Sequence, residues 1–348
     1  MKSTFKTEDC IYLLKDLTGI IEFTSFDDKE RLISNGVNYS EMITEEDLLS
    51  DEIYNIFEDS LQHNASDLAY YVGVVAEEIY KRGEKNCVIV SLARAGSPVG
   101  AIIKRYIDFK YNVKLPHYSI SIIRGRGIDK NALDYIRSIH PYGIINFVDA
   151  WTGKGSITNE LKKSVIEYND ENSTKISYDL AVLADPARLS VIAGTRKDVC
   201  IPNACLNSTI SGLVSRTILN KDLILEKDFH GAVRYDKLKD LDVTNHFLDT
   251  IEKHFKINAN MIMESQGKSC VNKLLDKIKN DYPIADINKV KLSIGESSRA
   301  LIRRKPYRLL VKNINNPDLS FVLHLAKSKK VDISIYDTMD YECVTLLK

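Results

Sequence analysis

Short apolar runs alternate with amphipathic segments along the middle of the chain. The runs predict strands at residues 87–92, 118–123, 144–148 and 180–184, and the segments predict helices at 99–107, at 131–139 and after residue 155. In the last of these helices, Ile157, Leu161, Val165 and Tyr168 recur at the spacing of one helical face. Alternation of this kind is typical of a parallel sheet with helices on both faces. We therefore predict an α/β fold for this region.

Charge is distributed unevenly, although the 348 residues carry 48 basic and 48 acidic side chains. Residues 1–67 contain 16 acids and 5 bases, whereas residues 261–348 contain 16 bases and 10 acids. We predict an acidic N-terminal extension over 1–70, packed on an α/β domain over 71–256, and a small basic domain over 261–348. Residues 256–260 are the predicted linker. The sequence does not determine the oligomeric state, and it is compatible with a homodimer.

The sequence shows no pattern typical of a signal peptide or of a membrane-spanning segment. Its first residues lack an apolar signal core, and it contains no apolar run of about 18 residues. The six cysteines are scattered, without a C-x-x-C pair or a histidine at metal-ligand spacing. These features predict a cytoplasmic protein with no membrane partner, with reduced thiols and with no metal held by protein ligands alone.

An anion-binding turn is predicted where the third strand ends. Asp149 follows the apolar run, and the turn that opens the next helix comprises Thr152, Gly153, Lys154, Gly155 and Ser156. Glycines let the backbone approach an anion, and the free N–H groups of a helix start favour phosphate. The turn lacks the glycine spacing of a Walker P-loop. On its own it is equally consistent with a serine-capped helix start.

Two other strand ends carry similar chemistry. The first strand is followed by Arg94, Ala95, Gly96 and Ser97, and the second by Arg124 and Arg126. Guanidinium groups bind phosphate oxygens in a bidentate manner. Because the carboxyl ends of parallel strands meet at one edge of a sheet, we predict a single phosphate site there.

Residues 148–155, 204–209 and 228–232 resemble the StiP family over nearly the whole chain. That family is described as a type I phosphoribosyltransferase-like domain fused to a C-terminal Pelota-type RNA-binding domain, an α-β-α sandwich, and it occurs beside tellurite-resistance and stress genes. The resemblance implies an Mg²⁺-dependent enzyme that uses phosphoribosyl pyrophosphate or a related ribosyl phosphate, in a nucleoside-like metabolite or RNA-linked stress pathway. Asp149, Arg124 and Arg126 would be catalytic, residues 152–156 would hold the 5-phosphate, and residues 94–97 would hold pyrophosphate with the metal.

Two alternatives remain open. Ala150 stands where most type I enzymes carry a second acid, which favours a non-catalytic protein that senses a nucleotide and binds RNA. A cysteine hydrolase with Cys205 as thiol and His230 as base is less favoured, because no protease signature surrounds Cys205 and a buried cysteine usually only packs. We instead place an acceptor pocket at Asp185, Asn207, Ser208, Thr209 and His230. For Asp185, a local turn pair with Arg188 is the competing interpretation.

The basic C-terminal region contains six bases and no acid from Arg299 to Lys312. Residues 295–304 resemble the corresponding stretch of Pelota-type domains, and a concentrated positive patch is typical of contact with a phosphate backbone. We predict that structured RNA contacts Arg299, Arg303, Arg304 and Lys305. A solvated helix face is the competing interpretation.

Overall fold

The computed structural model describes residues 1–46, 48–257, 260–284 and 286–348. Its helices are α1 (Phe26–Ser34), α2 (Asp51–Tyr80), α3 (Gly96–Tyr111), α4 (Lys130–Ile139), α5 (Ser156–Asn172), α6 (Thr244–Glu252), α7 (Val271–Asp281), α8 (Ser293–Arg303) and α9 (Ser320–Ser328). Its strands are β1 (Ile11–Tyr12), β2 (Lys15–Asp16), β3 (Cys87–Ala93), β4 (His117–Ile123), β5 (Gly127–Ile128), β6 (Ile144–Trp151), β7 (Leu180–Ala184), β8 (Ile192–Thr195), β9 (Gly231–Ala232), β10 (Val290–Leu292), β11 (Pro306–Val311), β12 (Asp332–Ile335) and β13 (Cys343–Leu347). The predicted linker at 256–260 includes Asn258 and Ala259, which lie outside the described residues.

The central sheet has the order β1-β4-β3-β6-β7-β8, and every neighbouring pair along it is parallel. β5 pairs antiparallel with β4 at one margin. β3 is buried along nearly its whole length, as a central strand covered on both faces must be. The predicted α/β fold with a mostly parallel sheet is confirmed.

The strand order reverses between β3 and β6. The chain passes from β3 through α3 to its neighbour β4, then returns through α4 to β6 on the other side of β3. Open α/β sheets bind ligands at such a switch point, outside the carboxyl ends of the strands. The turns that follow Ala93 and Trp151 therefore meet at the predicted edge.

The acidic N-terminal region contributes α2, a helix of 30 residues that the sequence patterning does not resolve. Val72, Val75 and Ala76 are fully buried on the face that packs against α3 and β8. The helix runs across residue 70 without a break, so it joins the acidic extension continuously to the sheet.

The C-terminal region forms a small domain around a four-stranded sheet of order β10-β13-β11-β12. α7 packs on one face through Leu274 and Ile278, and α8 and α9 pack on the other. Ile294 and Leu301 of α8 belong to the same apolar core as Val148 and Ala150 of β6. The two parts of the chain thus share one continuous core at the carboxyl edge of the central sheet.

Across the described residues, no helix is both long enough and apolar enough to cross a bilayer.

Candidate functional site

The turn after β6 forms a small enclosed cavity with the turn after β3. β6 continues to Trp151, three residues beyond the prediction, because it pairs with β7 as far as Ala184. Gly155 then adopts a φ of +90°, which suits glycine, and α5 begins at Ser156. The cavity has a volume of about 110 Å³ and is lined by Ala95, Asp149, Gly153 and Ser156, among others. The structure therefore brings together the first and third of the three predicted strand ends.

Asp149 lies within β6 rather than at its end, and its carboxylate faces this cavity. It accepts the backbone N–H of Ala150 at 2.8 Å. Burial raises the pKa of Asp149 to about 6, and the nearby guanidinium of Arg299 opposes that rise. Asp149 is consequently one group at the sheet edge whose protonation changes close to neutral pH.

A carboxylate from the C-terminal domain occupies the predicted anion-binding turn. A Cβ added to Gly153 would lie 2.3 Å from Oε1 of Glu296, and the nearby backbone N–H of Lys154 acts to lower the pKa of that carboxyl. Burial raises the pKa of Glu296, and its Oε2 is buried without a hydrogen-bond partner. The carboxyl group of Glu296 therefore fills the space at this turn where the sequence predicts a phosphate.

Close packing holds α8 on the turn. A Cβ on Gly295 would lie 2.2 Å from the indole of Trp151, and the Arg299 guanidinium lies 4.8 Å from the centre of that ring. The hydroxyl of Tyr341 donates to the carbonyl of Gly153 at 2.8 Å.

The carboxylate of Asp198 secures the start of α8. It accepts backbone N–H groups from Ile294 and Glu342, each at 3.0 Å. Burial raises the pKa of Asp198 to about 7. The C-terminal domain is thus anchored to the sheet edge by polar contacts as well as by the shared core.

Two of the predicted phosphate ligands point away from the turn. The Lys154 ammonium donates to the carbonyls of Ile287 and Val290, at 2.7 and 2.9 Å. The Arg94 guanidinium pairs with Glu46 at 2.5 Å and donates to the Val214 carbonyl. These contacts direct both cations to other parts of the molecule.

Ser97 and the two arginines after β4 are also engaged elsewhere. The Ser97 hydroxyl lies 2.7 Å from that of Ser119 in the core. Arg124 donates to Asn288 at 3.0 Å, and Arg126 forms an ion pair with Glu41. The expected closure of Arg124 and Arg126 over a leaving group is not present, because they bind the C-terminal domain and the N-terminal region instead.

The predicted acceptor pocket separates into unrelated sites. Asp185 is fully buried in an ion pair with Arg196 and accepts the Thr152 hydroxyl at 2.5 Å. Its partner is not Arg188, as a local turn pair would require. His230 places Nδ1 2.8 Å from the hydroxyl of Ser121, and its backbone N–H donates to Asp129 at 2.6 Å. Both residues therefore have structural roles here.

Asn207, Ser208 and Thr209 do lie together. The backbone N–H of Ser208 donates to Glu46 at 3.0 Å, and Arg303 donates to the side-chain oxygen of Asn207. The hydroxyl of Tyr54 lies 3.3 Å from that of Thr209. Of these three residues, Asn207 lines a second, larger cavity of about 520 Å³, together with Glu46 and Arg303.

Cys205 lies in the segment that runs between the two cavities. Asn203 donates to the carbonyl of Ala95 at 2.9 Å, and Asn207 accepts from Arg303 of α8. The Cys205 thiol is fully buried beside that of Cys200, and burial raises its pKa well above the usual range. In this arrangement the thiol is protonated at neutral pH, and the ring of His230 is bonded to Ser121 rather than to sulfur.

Two of the four predicted RNA contacts are enclosed between the domains. Arg299 stacks on Trp151, and Arg303 reaches Asn207. Arg304 and Lys305 are exposed, although Arg304 also contacts Glu30 at 3.1 Å. Arg299 and Arg303 are therefore covered by neighbouring parts of the chain in this arrangement, and contact of the four side chains with RNA stays a prediction.

Sequence reasoning missed Glu296 and Glu46 as site residues. A signal for Glu296 was present, because Gly295 precedes it inside a helix, where glycine is unfavourable unless something packs closely against it. Glu46 lies in an irregular segment before α2, and no local pattern connects it to Arg94.

Comparison with known proteins identifies the family. Residues 3–252 match the family described as tellurite-like stress resistance cysteine protease StiP, and residues 270–348 match the PELOTA RNA binding domain. The chain belongs to the StiP family. It is 33% identical to the cysteine protease StiP of Acinetobacter baylyi, and the match covers 99% of this chain and 94% of that relative.

These matches correct the functional prediction. The StiP family and the Acinetobacter relative are described as cysteine proteases, so the prediction of a phosphoribosyltransferase that uses phosphoribosyl pyrophosphate is wrong. The cysteine hydrolase that the sequence analysis favoured least fits the family better. Magnesium, a homodimer and a cytoplasmic location stay predictions.

Proposed function

We propose that this StiP-family chain is a thiol-dependent hydrolase of peptide bonds, with Cys205 as its nucleophile. The family and the relative described above are both named as cysteine proteases. The observation that carries the choice of cysteine is its position, because the Cys205 segment contacts the sheet-edge turn through Asn203 and α8 through Asn207. A substrate in the cleft between the domains would lie beside this segment.

The reaction proposed is acyl transfer to sulfur followed by hydrolysis. The Cys205 sulfur attacks the carbonyl carbon, the C–N bond breaks, and the thiol proton leaves with the amine. Water then hydrolyses the thioester to a carboxylic acid and restores the thiol. The buried side-chain oxygens of Asn203 and Ser208 have no hydrogen-bond partner, which makes them candidates to contact a substrate near the sulfur.

The present arrangement corresponds to a resting form in this proposal. A thiol attacks as the thiolate, and burial raises the pKa of Cys205 beside Cys200. Arg303 of α8 binds Asn207, two residues beyond Cys205, so displacement of α8 would free the segment. Activation is therefore expected to require movement of the C-terminal domain away from the sheet edge.

A reactive-thiol assay on the full-length chain tests the proposal. The chain is incubated with a mixed fluorogenic peptide library and, separately, with a peptidyl chloromethyl ketone whose attachment site is mapped. Peptidase activity that is lost in Cys205→Ser, with the label on Cys205, supports the proposal. Cys87→Ser is the matched control, because the Cys87 thiol is buried and bonded to the Ile79 carbonyl. Activity retained in Cys205→Ser overturns the proposal. So does the absence of both activity and label from the wild type and from Arg303→Gln, which lacks the contact between α8 and Asn207.

RNA binding by the C-terminal domain is a second candidate function, favoured by the PELOTA match. We propose that the contact surface is the exposed group Arg304, Lys305, Lys327 and Lys330. Lys329 donates to the carbonyl of Ile302 at 3.1 Å, which places the end of α9 beside the end of α8. Reversal of Lys327 and Lys330 to Glu is expected to weaken filter binding of a structured RNA and to reduce its salt dependence. Binding that is independent of salt, or unchanged in this variant, contradicts the surface.

We also propose that the central sheet has the type I phosphoribosyltransferase-like architecture without that enzyme's activity. The reversal of strand order between β3 and β6, with a turn at each strand end, supports this assignment. Superposition of an experimental structure on proteins of that fold tests it, and a different strand order in the shared core would exclude it.

A further inference from the structure

The cavity of about 520 Å³ lies between the N-terminal region, the sheet edge and the C-terminal domain. Five cationic side chains from five separate segments line it: Lys29 of α1, Arg94 after β3, Arg216 of the long loop before β9, Arg303 of α8 and Lys329 directly after α9. Its volume is in the range of small-molecule sites, about 300–1,000 Å³. It is distinct from the small cavity at Asp149, and of its cations only Arg303 enters the account of the thiol above, through its contact with Asn207.

Among the described residues that line this cavity, the acids are fewer than the bases. Glu46 pairs with Arg94 at 2.5 Å, and Glu45 pairs with Lys237 at 3.1 Å. Arg216 and Arg303 instead donate to neutral oxygens, the carbonyl of Met42 and the side chain of Asn207. The described lining residues therefore carry a net positive charge, and a positive charge removed from water is costly unless an anion accompanies it.

The side chains of Arg216 and Lys29 show the effect of this excess of positive charge. The Nη1 atom of Arg216 is buried without a hydrogen-bond partner. Burial and the neighbouring guanidinium groups of Arg216, Arg303 and Arg304 lower the pKa of Lys29 to about 8. Guanidinium nitrogens that face a cavity are suited to bidentate recognition of a phosphate or a carboxylate.

Apolar side chains complete the lining. Ile43, Leu49, Ile302 and Leu325 contribute aliphatic surface, and Tyr235 contributes an aromatic ring. A ligand that satisfied both kinds of wall would carry a doubly charged head group at the arginines and an apolar body against these residues.

We propose that this cavity binds a small organic dianion, with the charged group held by Arg216 and Arg303 and an apolar part against Ile43 and Leu325. Phosphate monoesters and dicarboxylates share this chemistry. Because the N-terminal region and α8 each supply one wall, such a ligand stabilises the closed arrangement of the two domains. The proposal does not depend on the identity of the catalytic thiol.

Isothermal titration of the full-length chain with phenyl phosphate and with phthalate tests the proposal and separates the two ligand classes. We expect saturable binding of at least one probe, weakened tenfold or more in Arg216→Gln and in Arg303→Gln. Arg137→Gln is the charge-matched control, because Arg137 lies on α4, where it donates to Tyr168, and does not line the cavity. Binding in this variant is expected to equal that of the wild type.

Lys29→Gln provides a second test at the cavity wall, since it removes a cation from the exposed helix α1 without breaking a buried contact of the core. It is expected to weaken binding about threefold or more, and thermal unfolding of each variant establishes that it is folded. The proposal is overturned if neither probe binds at millimolar concentration. It is also overturned if the probes bind and the substitutions of Arg216, Arg303 and Lys29 leave that binding unchanged.

Discussion

The carboxylate of Glu296 lies directly against the backbone of Gly153, so that a Cβ at position 153 would come within 2.3 Å of Oε1. Gly153 belongs to the turn after β6, and Glu296 belongs to α8 of the C-terminal domain. The two segments matched by separate family models therefore meet at the candidate site itself. The C-terminal domain is a structural part of that site as well as a module beside it.

Substitution of Gly153 by Ala is expected to loosen this contact. The added methyl group would overlap the Glu296 carboxylate, and the surrounding core leaves that side chain little room to move. We expect a loss of about 1–3 kcal/mol in the free energy of unfolding, measured by urea denaturation, together with faster proteolysis at residues 260–270.

The double variant Gly153→Ala with Glu296→Ala is the control for that substitution. If the clash is with Glu296, removal of its carboxylate restores most of the stability lost in Gly153→Ala, as a double-mutant cycle would report. Additive losses in the double variant would show that the methyl group acts elsewhere.

The buried pair Asp185–Arg196 is expected to stabilise the sheet edge strongly. Both side chains are almost fully buried, and Asp185 also accepts the backbone N–H groups of Leu189 and Ser190. Arg196→Leu leaves an unpaired buried carboxylate, so we expect a loss of about 3–5 kcal/mol in urea unfolding. The exposed pair Asp28–Arg31 is the comparison, where Arg31→Leu is expected to cost under about 1 kcal/mol. Equal losses in the two variants would contradict the assigned role of Asp185.

Titration of Asp149 is expected to lower the free energy of unfolding as the pH rises from about 4 to above 6. Its folded pKa of about 6 lies above the ordinary value of 3.8, so the folded chain binds more protons than the unfolded chain in this window. The stability contributed by the protonated carboxyl is present at low pH and is lost through pH 6. Urea midpoints at several pH values measure this effect.

The variant Asp149→Asn tests the assignment of that pH dependence. It removes the titrating group and keeps the size of the side chain, so the decline between pH 4 and 6 is expected to become shallower. Arg299→Gln is expected to move the titration of Asp149 to a higher pH, because Arg299 favours the carboxylate. Identical pH profiles in wild type and Asp149→Asn would refute the attribution.

Thiol labelling is expected to distinguish Cys270 from Cys205. Cys270 is partly exposed, whereas Cys205 is fully buried and its pKa is raised by burial. Mass spectrometry after iodoacetamide treatment of the native chain should therefore find Cys270 modified first. Arg303→Gln removes the contact between α8 and Asn207 and is expected to accelerate labelling of Cys205. Early labelling of Cys205 in the wild type would contradict the resting form.

The sequence predicts local elements well where the pattern is strong. β3, β4 and β7 lie within one residue of their predicted bounds, because their apolar runs are buried on both faces. The helical face formed by Leu161, Val165 and Tyr168 is buried as expected. α2 was missed because its apolar residues nearly encircle the helix in its second half, which weakens the amphipathic signal.

The site is only partly predictable because its chemistry depends on contacts between distant residues. The turn at residues 152–156 was recognised from glycines and hydroxyls, but the side chain of Lys154 leaves it for carbonyls 133 and 136 residues away. The sequence of α8 around Arg299 and Arg303 would be the same whether this helix face were open to solvent or covered by another domain. Nothing in their local sequence distinguishes these environments.

Hydrogen exchange at the Lys154 amide tests most directly whether α8 closes over the candidate site. The Glu296 side chain lies against the backbone of this turn, so peptides covering residues 151–157 are expected to exchange at least tenfold more slowly in the wild type than in Glu296→Ala. Glu58→Ala, which alters an exposed acid on α2, is expected to match the wild type. Equal exchange of these peptides in all three chains would contradict the closed interdomain site.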